Sequence, residues 1–278
     1  MTFYRSLTRW LTAPALAAVV MSGQALAQAQ PAKDFEPQVG QSGKDVIWVP
    51  TQLGMVNRML DTAKVTAADT VYDLGSGDGR TVITAAKRGA TAHGIEYNPD
   101  MVELSKRNAD KEGVSAKATF AKADLFESDF SKATVITMFL LSDINLRLRP
   151  KILDMKPGTR VVSNTFDMGE WDADEKFEVK EGCSSYCRGY YWVVPAKVEG
   201  SWKLGNSEVT LKQTFQMISG NVKTGNVIAP ITKGRVTGET VTFTAGGTDY
   251  TGKVNGGSIE GVSKTGSNET KWQASKAK

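Results

Sequence analysis

Three glycines at alternate positions, Gly75, Gly77 and Gly79, stand directly after the apolar stretch Val71-Tyr72-Asp73-Leu74 and before a helix-forming run. Glycine at such positions lets the backbone take left-handed angles and lets a ligand approach the main chain closely. Glu96 ends the next apolar stretch, where a carboxylate can accept hydrogen bonds from both hydroxyls of a ribose. Ala123-Asp124-Leu125 closes the one after that. Asp124 there reads as a partner for an adenine amino group or as an ordinary solvated loop acid. A dinucleotide fingerprint would want glycine at position 80, which is Arg80. Two phosphates would also face Asp73, Asp78 and Glu96, a poor electrostatic match. A nucleoside cofactor with a cationic amino-acid tail suits Asp73 better, and S-adenosylmethionine is such a cofactor.

The elements that must hold these residues alternate. Strands are expected at Val71–Leu74, Ala92–Glu96, Thr119–Ala123, Thr134–Leu141 and Thr159–Thr165. Helices are expected at Thr81–Arg88, Pro99–Gly113 and Arg147–Met155, with an earlier one from about Leu53 to Ala63. Buried strands alternating with helices predict an α/β fold with a doubly wound, mostly parallel Rossmann-like sheet over residues 46–195. After residue 196 the period changes to two, with Gly-rich turns at Ser219-Gly220, Thr237-Gly238, Gly246-Gly247 and Asn255-Gly256-Gly257. Residues 196–278 therefore read as a small antiparallel all-β module, a barrel or sandwich, with a polar, frayed tail from Ser263.

The run Val71-Tyr72-Asp73-Leu74-Gly75-Ser76-Gly77-Asp78-Gly79-Arg80 closely resembles the first motif of class I S-adenosylmethionine-dependent methyltransferases. With Val49-Pro50-Thr51, Glu96-Tyr97-Asn98-Pro99 and Asp124-Leu125, the set resembles the ATP synthase c-subunit lysine methyltransferase family and its bacterial relatives, over about residues 46–171. The resemblance implies Asp73, Gly75, Gly77 and Glu96 at the cofactor, with Pro50 and Thr51 folding over it. Thr51 reads equally as the cap of the first helix. Ser76, Gly79, Tyr97, Asp124 and Leu125 complete the candidate cofactor set. Protein lysine is one acceptor the resemblance implies, and a small molecule stays open as the alternative; the leader and the β module depart from the family's eukaryotic pattern.

Ser142, Asp143 and Asn145 follow the fourth strand, where acceptor-side groups sit in such folds, and Asp167 and Trp171 offer a second rim. Each reads more readily as structural, and no catalytic base is assigned. An exported binder of the cofactor without turnover and an interaction protein acting through its β module are the alternatives. The intact Gly75, Gly77 and Glu96 count against the second.

Bulk composition narrows the rest. A hydrophobic fraction of 40% and a charged fraction of 23% are those of an ordinary soluble globular chain. The net charge of +4 includes Arg5 and Arg9 of the leader, and no Lys/Arg run points to nucleic acid. With two cysteines and one histidine, His93, no Cys/His zinc cluster can form and a Ser-His-Asp triad would have to use His93. His93 opens a strand and reads as structural. Cys183 and Cys187 read either as a disulfide or as two free thiols.

Arg5 and Arg9, the apolar Leu11–Met21 and Ala25-Leu26-Ala27 have the order of a secretory signal peptide over residues 1–27. Cleavage near Ala27 leaves no membrane span, and residues 28–45 read as a flexible lead-in. The expected location is periplasmic, in tension with the cytosolic origin of the cofactor.

Overall fold

The computed structural model describes residues 1–3 and 35–277; residues 4–27 of the expected signal peptide, with Arg5, Arg9 and Ala27, lie outside the described residues. Helix α1 (Leu53–Thr62) carries Met55, Val56, Met59 and Leu60 on one buried face. Each such side chain contributes on the order of 2 kcal/mol by leaving water. Strand β1 (Thr70–Leu74) follows and is the third strand of a seven-stranded sheet.

From β1 the chain works outward through α2 (Arg80–Lys87), β2 (Thr91–Glu96), α3 (Pro99–Lys111) and β3 (Ala118–Lys122). It then crosses to the other side of β1 as β4 (Val135–Met138), α4 (Ser142–Leu153) and β5 (Arg160–Asn164). These five strands are parallel. The reversal of direction between β1 and β4 opens a crevice beyond their carboxyl ends, the usual ligand position in open α/β sheets. Two further strands, β6 (Glu175–Glu178) and β7 (Arg188–Val193), go beyond what periodicity predicts. They complete the order β3-β2-β1-β4-β5-β7-β6, with β7 antiparallel to both neighbours.

Alternation along the strands feeds two cores. Val71, Val135 and Val162 pack with α1, α2 and α3 on one face. Leu74, Ile136, Met138 and Val161 pack with Ile144, Leu148 and Ile152 of α4, and with Trp171 and Trp192, on the other. That four-residue spacing carries α4 back to Ser142, ahead of the expected start at Arg147. His93 lies in β2 against Tyr72, ring centroids 4.7 Å apart, and its Nδ1 is 2.6 Å from the Thr119 hydroxyl.

The β module is β8 (Gly200–Leu204), β9 (Ser207–Thr214), β10 (Met217–Thr224), β11 (Val227–Pro230), β12 (Thr232–Thr237), β13 (Thr240–Ala245), β14 (Thr248–Asn255), β15 (Ser258–Thr265) and β16 (Asn268–Lys276). Among the described residues, β11 hangs as a hairpin on β10, and the other eight close into an antiparallel barrel through the β9–β10 and β16–β8 pairings. Trp202, Leu211, Val236, Val241, Phe243 and Ile259 fill its interior. The expectation of a frayed tail from Ser263 is corrected. That stretch is the end of β15 and all of β16, paired from Ser258↔Ser275 to Thr265↔Asn268. Its alternation is faint because Trp272 and Ala274 are its only inward apolar residues.

Barrel and sheet meet at a mixed seam. Phe215 stacks on Trp171 (6.2 Å), Gln216 Nε2 donates to Asp172 O (2.7 Å), and Arg235 pairs with Asp174. Among the described residues, no helix is long and apolar enough to cross a membrane.

Candidate functional site

The crevice between β1 and β4 opens into a cavity of about 110 Å³. Pro50, Thr51, Asp73, Gly75, Ser76, Gly77, Glu96, Tyr97, Asp124 and Leu125 all line it, and Gly79 does not. Gly79 instead precedes α2 at φ 82°, where a Cβ would meet the Phe120 ring at 2.8 Å. It serves the turn and the packing beneath. Gly75 and Gly77 take φ of 75° and 53°. At Gly77 an added Cβ would lie 2.6 Å from Trp48 Nε1, so the loop is roofed by an indole as well as strained for any other residue.

The loop is braced from three directions. Glu96 accepts from Gly77 N and from Asn98 N, both at 2.9 Å, one through each carboxylate oxygen. From α3, Ser105 Oγ donates to Gly77 O (2.8 Å) and Asn108 Nδ2 to Asp78 O (3.0 Å). Arg80 ties Asp78 to the chain above, donating through Nε to Asp78 (2.9 Å) and through Nη1 to Thr51 O (3.0 Å). Thr51 does not cap α1. Gln52 holds that position, and its side chain is turned to Ser184.

Asp73 is the buried charge of the site. Burial pushes its carboxyl up to about 7, and the charges of Glu96 and Asp78 act in the same direction; hydrogen bonds from Thr137 and Thr81 oppose them. The Thr137 hydroxyl donates to it at 2.7 Å. At the far wall Lys44 pairs with Asp124 and lies 4.8 Å over the Tyr97 ring. The hydrogen bond from Lys44, helped by that from Phe126 N, lowers the Asp124 pKa, and the same bond raises that of Lys44.

Residues 41–48 form a side of the cavity that the sequence motifs do not include. Ser42 bridges to Ile47, Gly40 N donates to Trp48 O and Trp48 N to Gln41 O, each bond 2.9 Å, so a small hairpin arm lies across the opening. Part of it falls within the expected lead-in; an arm this short has no periodicity to detect. Met138, Phe139, Leu140 and Ile144 supply the β4 side of the wall. The acceptor candidates lie elsewhere. Ser142, Asp143 and Asn145 are the first turn of α4, outside the cavity lining. Asn145 is turned inward, donating to Phe166 O (3.2 Å) and Asp167 O (3.1 Å). Asp167 is exposed, and Trp171 is fully buried beside Trp192, whose Nε1 donates to Trp171 O (2.8 Å).

These residues fit S-adenosylmethionine. The two left-handed glycines leave main chain facing the cavity, Ser76 Oγ is buried without a partner, and Asp73 and Glu96 add to the lining the kind of acceptors that a ribose and a cationic tail require.

A family model described as the ANTKMT methyltransferase domain matches residues 73–175. A protein-lysine N-methyltransferase of Saccharolobus islandicus is 46% identical over 140 residues, covering 49% of this chain and 87% of that one. The human ATP synthase c-subunit lysine N-methyltransferase is 38% identical over 105 residues, covering 37% of this chain and 45% of that protein, so the match spans about half of that relative. A crystal structure of an RNA methyltransferase from Salinibacter ruber in complex with S-adenosyl-L-homocysteine superposes with a TM-score of 0.51. It is 43% identical and covers 54% of this chain and 96% of that one.

Sheet order, glycine loop and relatives define a class I S-adenosylmethionine-dependent methyltransferase. Within that class the chain belongs to the family that includes the archaeal protein-lysine N-methyltransferase and the ATP synthase c-subunit lysine N-methyltransferases.

Proposed function

We propose that this enzyme methylates the side-chain amine of a protein lysine, and that it does so after export. The observation that carries the acceptor is the β4 side of the cavity, where Met138, Phe139, Leu140 and Ile144 contribute only apolar side chains. A lysine amine carries a proton with a reference pKa of about 10.4, and burial against such a wall disfavours the charged form. Loss of that proton to solvent would leave the amine's lone pair free to accept a methyl group. Positioning in a dry pocket then does most of the work, which fits a wall without an assigned base. The names of the archaeal and human relatives support a lysine acceptor.

Bound S-adenosylmethionine supplies an electrophilic methyl group on a sulfonium. In this reading Asp73 would hold its amino-acid tail, Glu96 the ribose hydroxyls and Asp124 the adenine amino group, with Tyr97 and Leu125 beside the base. Gly75, Ser76 and Gly77 present main chain, and Pro50 and Thr51 cover the pocket. Export to the periplasm is supported by the order of Arg5, the apolar run and Ala27, and by the Cys183–Cys187 disulfide, a bond that persists in oxidising compartments.

Both parts are tested by incubating the enzyme with labelled S-adenosylmethionine and cytoplasmic, periplasmic and membrane fractions. Methyl-lysine in acid hydrolysates of the periplasmic or membrane fraction is the expected result. Label confined to RNA or to small molecules would overturn the lysine reading, and label confined to cytoplasmic protein would overturn export.

A further inference from the structure

The Cys183–Cys187 disulfide closes a loop that reaches the cofactor cavity from two sides. On one side, Gln52 Oε1 accepts from Ser184 N (3.0 Å) and Gln52 Nε2 donates to Ser184 Oγ (3.1 Å). Gln52 adjoins Thr51 of the cavity wall. The approach is close: a Cβ on Gly54 would lie 2.7 Å from Gly182 O, so glycine is what lets α1 start there. On the other side, Phe139 lines the cavity at the end of β4, stacks on Phe166 at 6.0 Å and meets the Tyr186 ring edge-on at 5.3 Å.

The three rings thus run from the cavity wall to the surface, Phe139 and Phe166 half-buried and Tyr186 47% exposed. Tyr186 has φ 57° and Thr165, next to Phe166, φ 66°. A bulky residue rarely stays at such angles unless its surroundings hold it, and such residues concentrate at binding sites. Here the holding contacts are the disulfide across Tyr186, Val179 N to Cys187 O (2.8 Å) and Thr165 N to Arg188 O (2.8 Å). An exposed tyrosine fixed in this way is not a core residue.

We propose that Tyr186, with Phe139 and Phe166, forms the aromatic slot that takes the alkyl chain and ammonium of the incoming lysine, and that the Cys183–Cys187 loop fixes Tyr186 in that slot. Apolar ring surface suits four methylenes, and the ring faces attract the ammonium before it loses its proton. The inference rests on the lysine reading of the acceptor. It adds a dependence on redox state, because a dithiol reductant, itself oxidised to a disulfide, converts Cys183–Cys187 to two thiols and frees Tyr186 while leaving the glycine loop, Asp73 and Glu96 untouched.

The test measures methyl transfer to poly-L-lysine, with poly-L-arginine as control, for the oxidised and reduced wild type, Tyr186→Ala, Tyr186→Phe and the double variant Cys183→Ser/Cys187→Ser. Affinity for S-adenosylhomocysteine is titrated for each. Loss of Tyr186 or of the disulfide should raise KM for poly-L-lysine by about tenfold, the effect of losing one well-placed apolar contact. Cofactor affinity should stay within about twofold, and Tyr186→Phe should behave as the wild type. Unchanged KM in Tyr186→Ala, or in both the reduced enzyme and the double variant, would overturn the slot while leaving the lysine reading standing. A wild type that binds S-adenosylhomocysteine but labels only RNA or small molecules, and neither poly-L-lysine nor protein lysine, would overturn both.

Discussion

Replacing Asp73 with asparagine should uncouple cofactor binding from pH. In the free site, burial lifts the Asp73 carboxyl from 3.8 to about 7. A raised acid holds its proton in the folded state where the unfolded chain has lost it, so its contribution to stability declines as pH rises from about 4 to about 7 and is constant above. At about 1.4 kcal/mol per unit, the shift corresponds to roughly 4 kcal/mol spent on keeping this charge inside at pH 8. A cationic amino-acid tail beside the carboxylate would offset that cost and favours the ionised form. About one tenth of the sites are ionised at pH 6 and about nine tenths at pH 8, so S-adenosylmethionine should bind about tenfold more tightly at pH 8. Titration calorimetry across that range in two buffers of different ionisation heat reads both the affinity and the released proton. Asp73→Asn should bind more weakly at pH 8, lose the pH dependence and proton release, and unfold at a higher temperature than the wild type at pH 8. A flat profile in the wild type, or an unchanged slope in the variant, would refute the assignment of Asp73 to the cationic tail.

Glu96→Ala removes both the ribose acceptor and the brace on Gly77 N and Asn98 N, and should weaken S-adenosylmethionine binding by roughly 2–3 kcal/mol in a titration of folded protein. Native affinity there would exclude the ribose role. Gly77→Val must displace Trp48 and adopt a left-handed angle, so binding should be abolished while circular dichroism still reports the sheet. Tight binding by that variant would mean the loop does not cradle the cofactor. A fragment of residues 28–195 keeps both cores of the sheet, including β7, and should be soluble and bind cofactor, whereas a cut at residue 176 removes β7 and should aggregate. Size-exclusion chromatography separates these outcomes, and aggregation of the longer fragment would show that the Trp171–Phe215 seam is indispensable.

The cofactor loop is legible in the sequence because its signal is local: Asp73, three glycines and Arg80 fall within eight consecutive residues. Glu96 and Asp124 are legible because one ends β2 and the other follows the end of β3 by two residues in a regular βα alternation. What sequence alone does not reveal depends on contacts between distant segments. Lys44 and Trp48 belong to a short aperiodic arm whose only sheet-like mark is the Ser42–Ile47 bridge. Ser105 and Asn108 look like ordinary helix-surface polar residues until Gly77 O and Asp78 O are placed above them. Tyr186 sits between two cysteines whose pairing the spacing leaves open, and its meeting with Phe139 joins segments far apart in the chain. β16 resembles a tail because a barrel strand facing water needs few apolar residues.

The barrel has a temporal consequence. Its ring closes only when Asn268–Lys276 pairs with Gly200–Leu204, a contact between its last strand and its first. Until ribosome or translocase has released that strand, β8 and β15 each present a bare edge, the kind of surface that recruits other strands. The sheet and its cofactor crevice precede the barrel in the chain and can mature first, whereas the barrel's non-local closure is intrinsically slow. A chain stopped short of that closure would carry a complete cofactor crevice beside an open module with two unpaired strand edges.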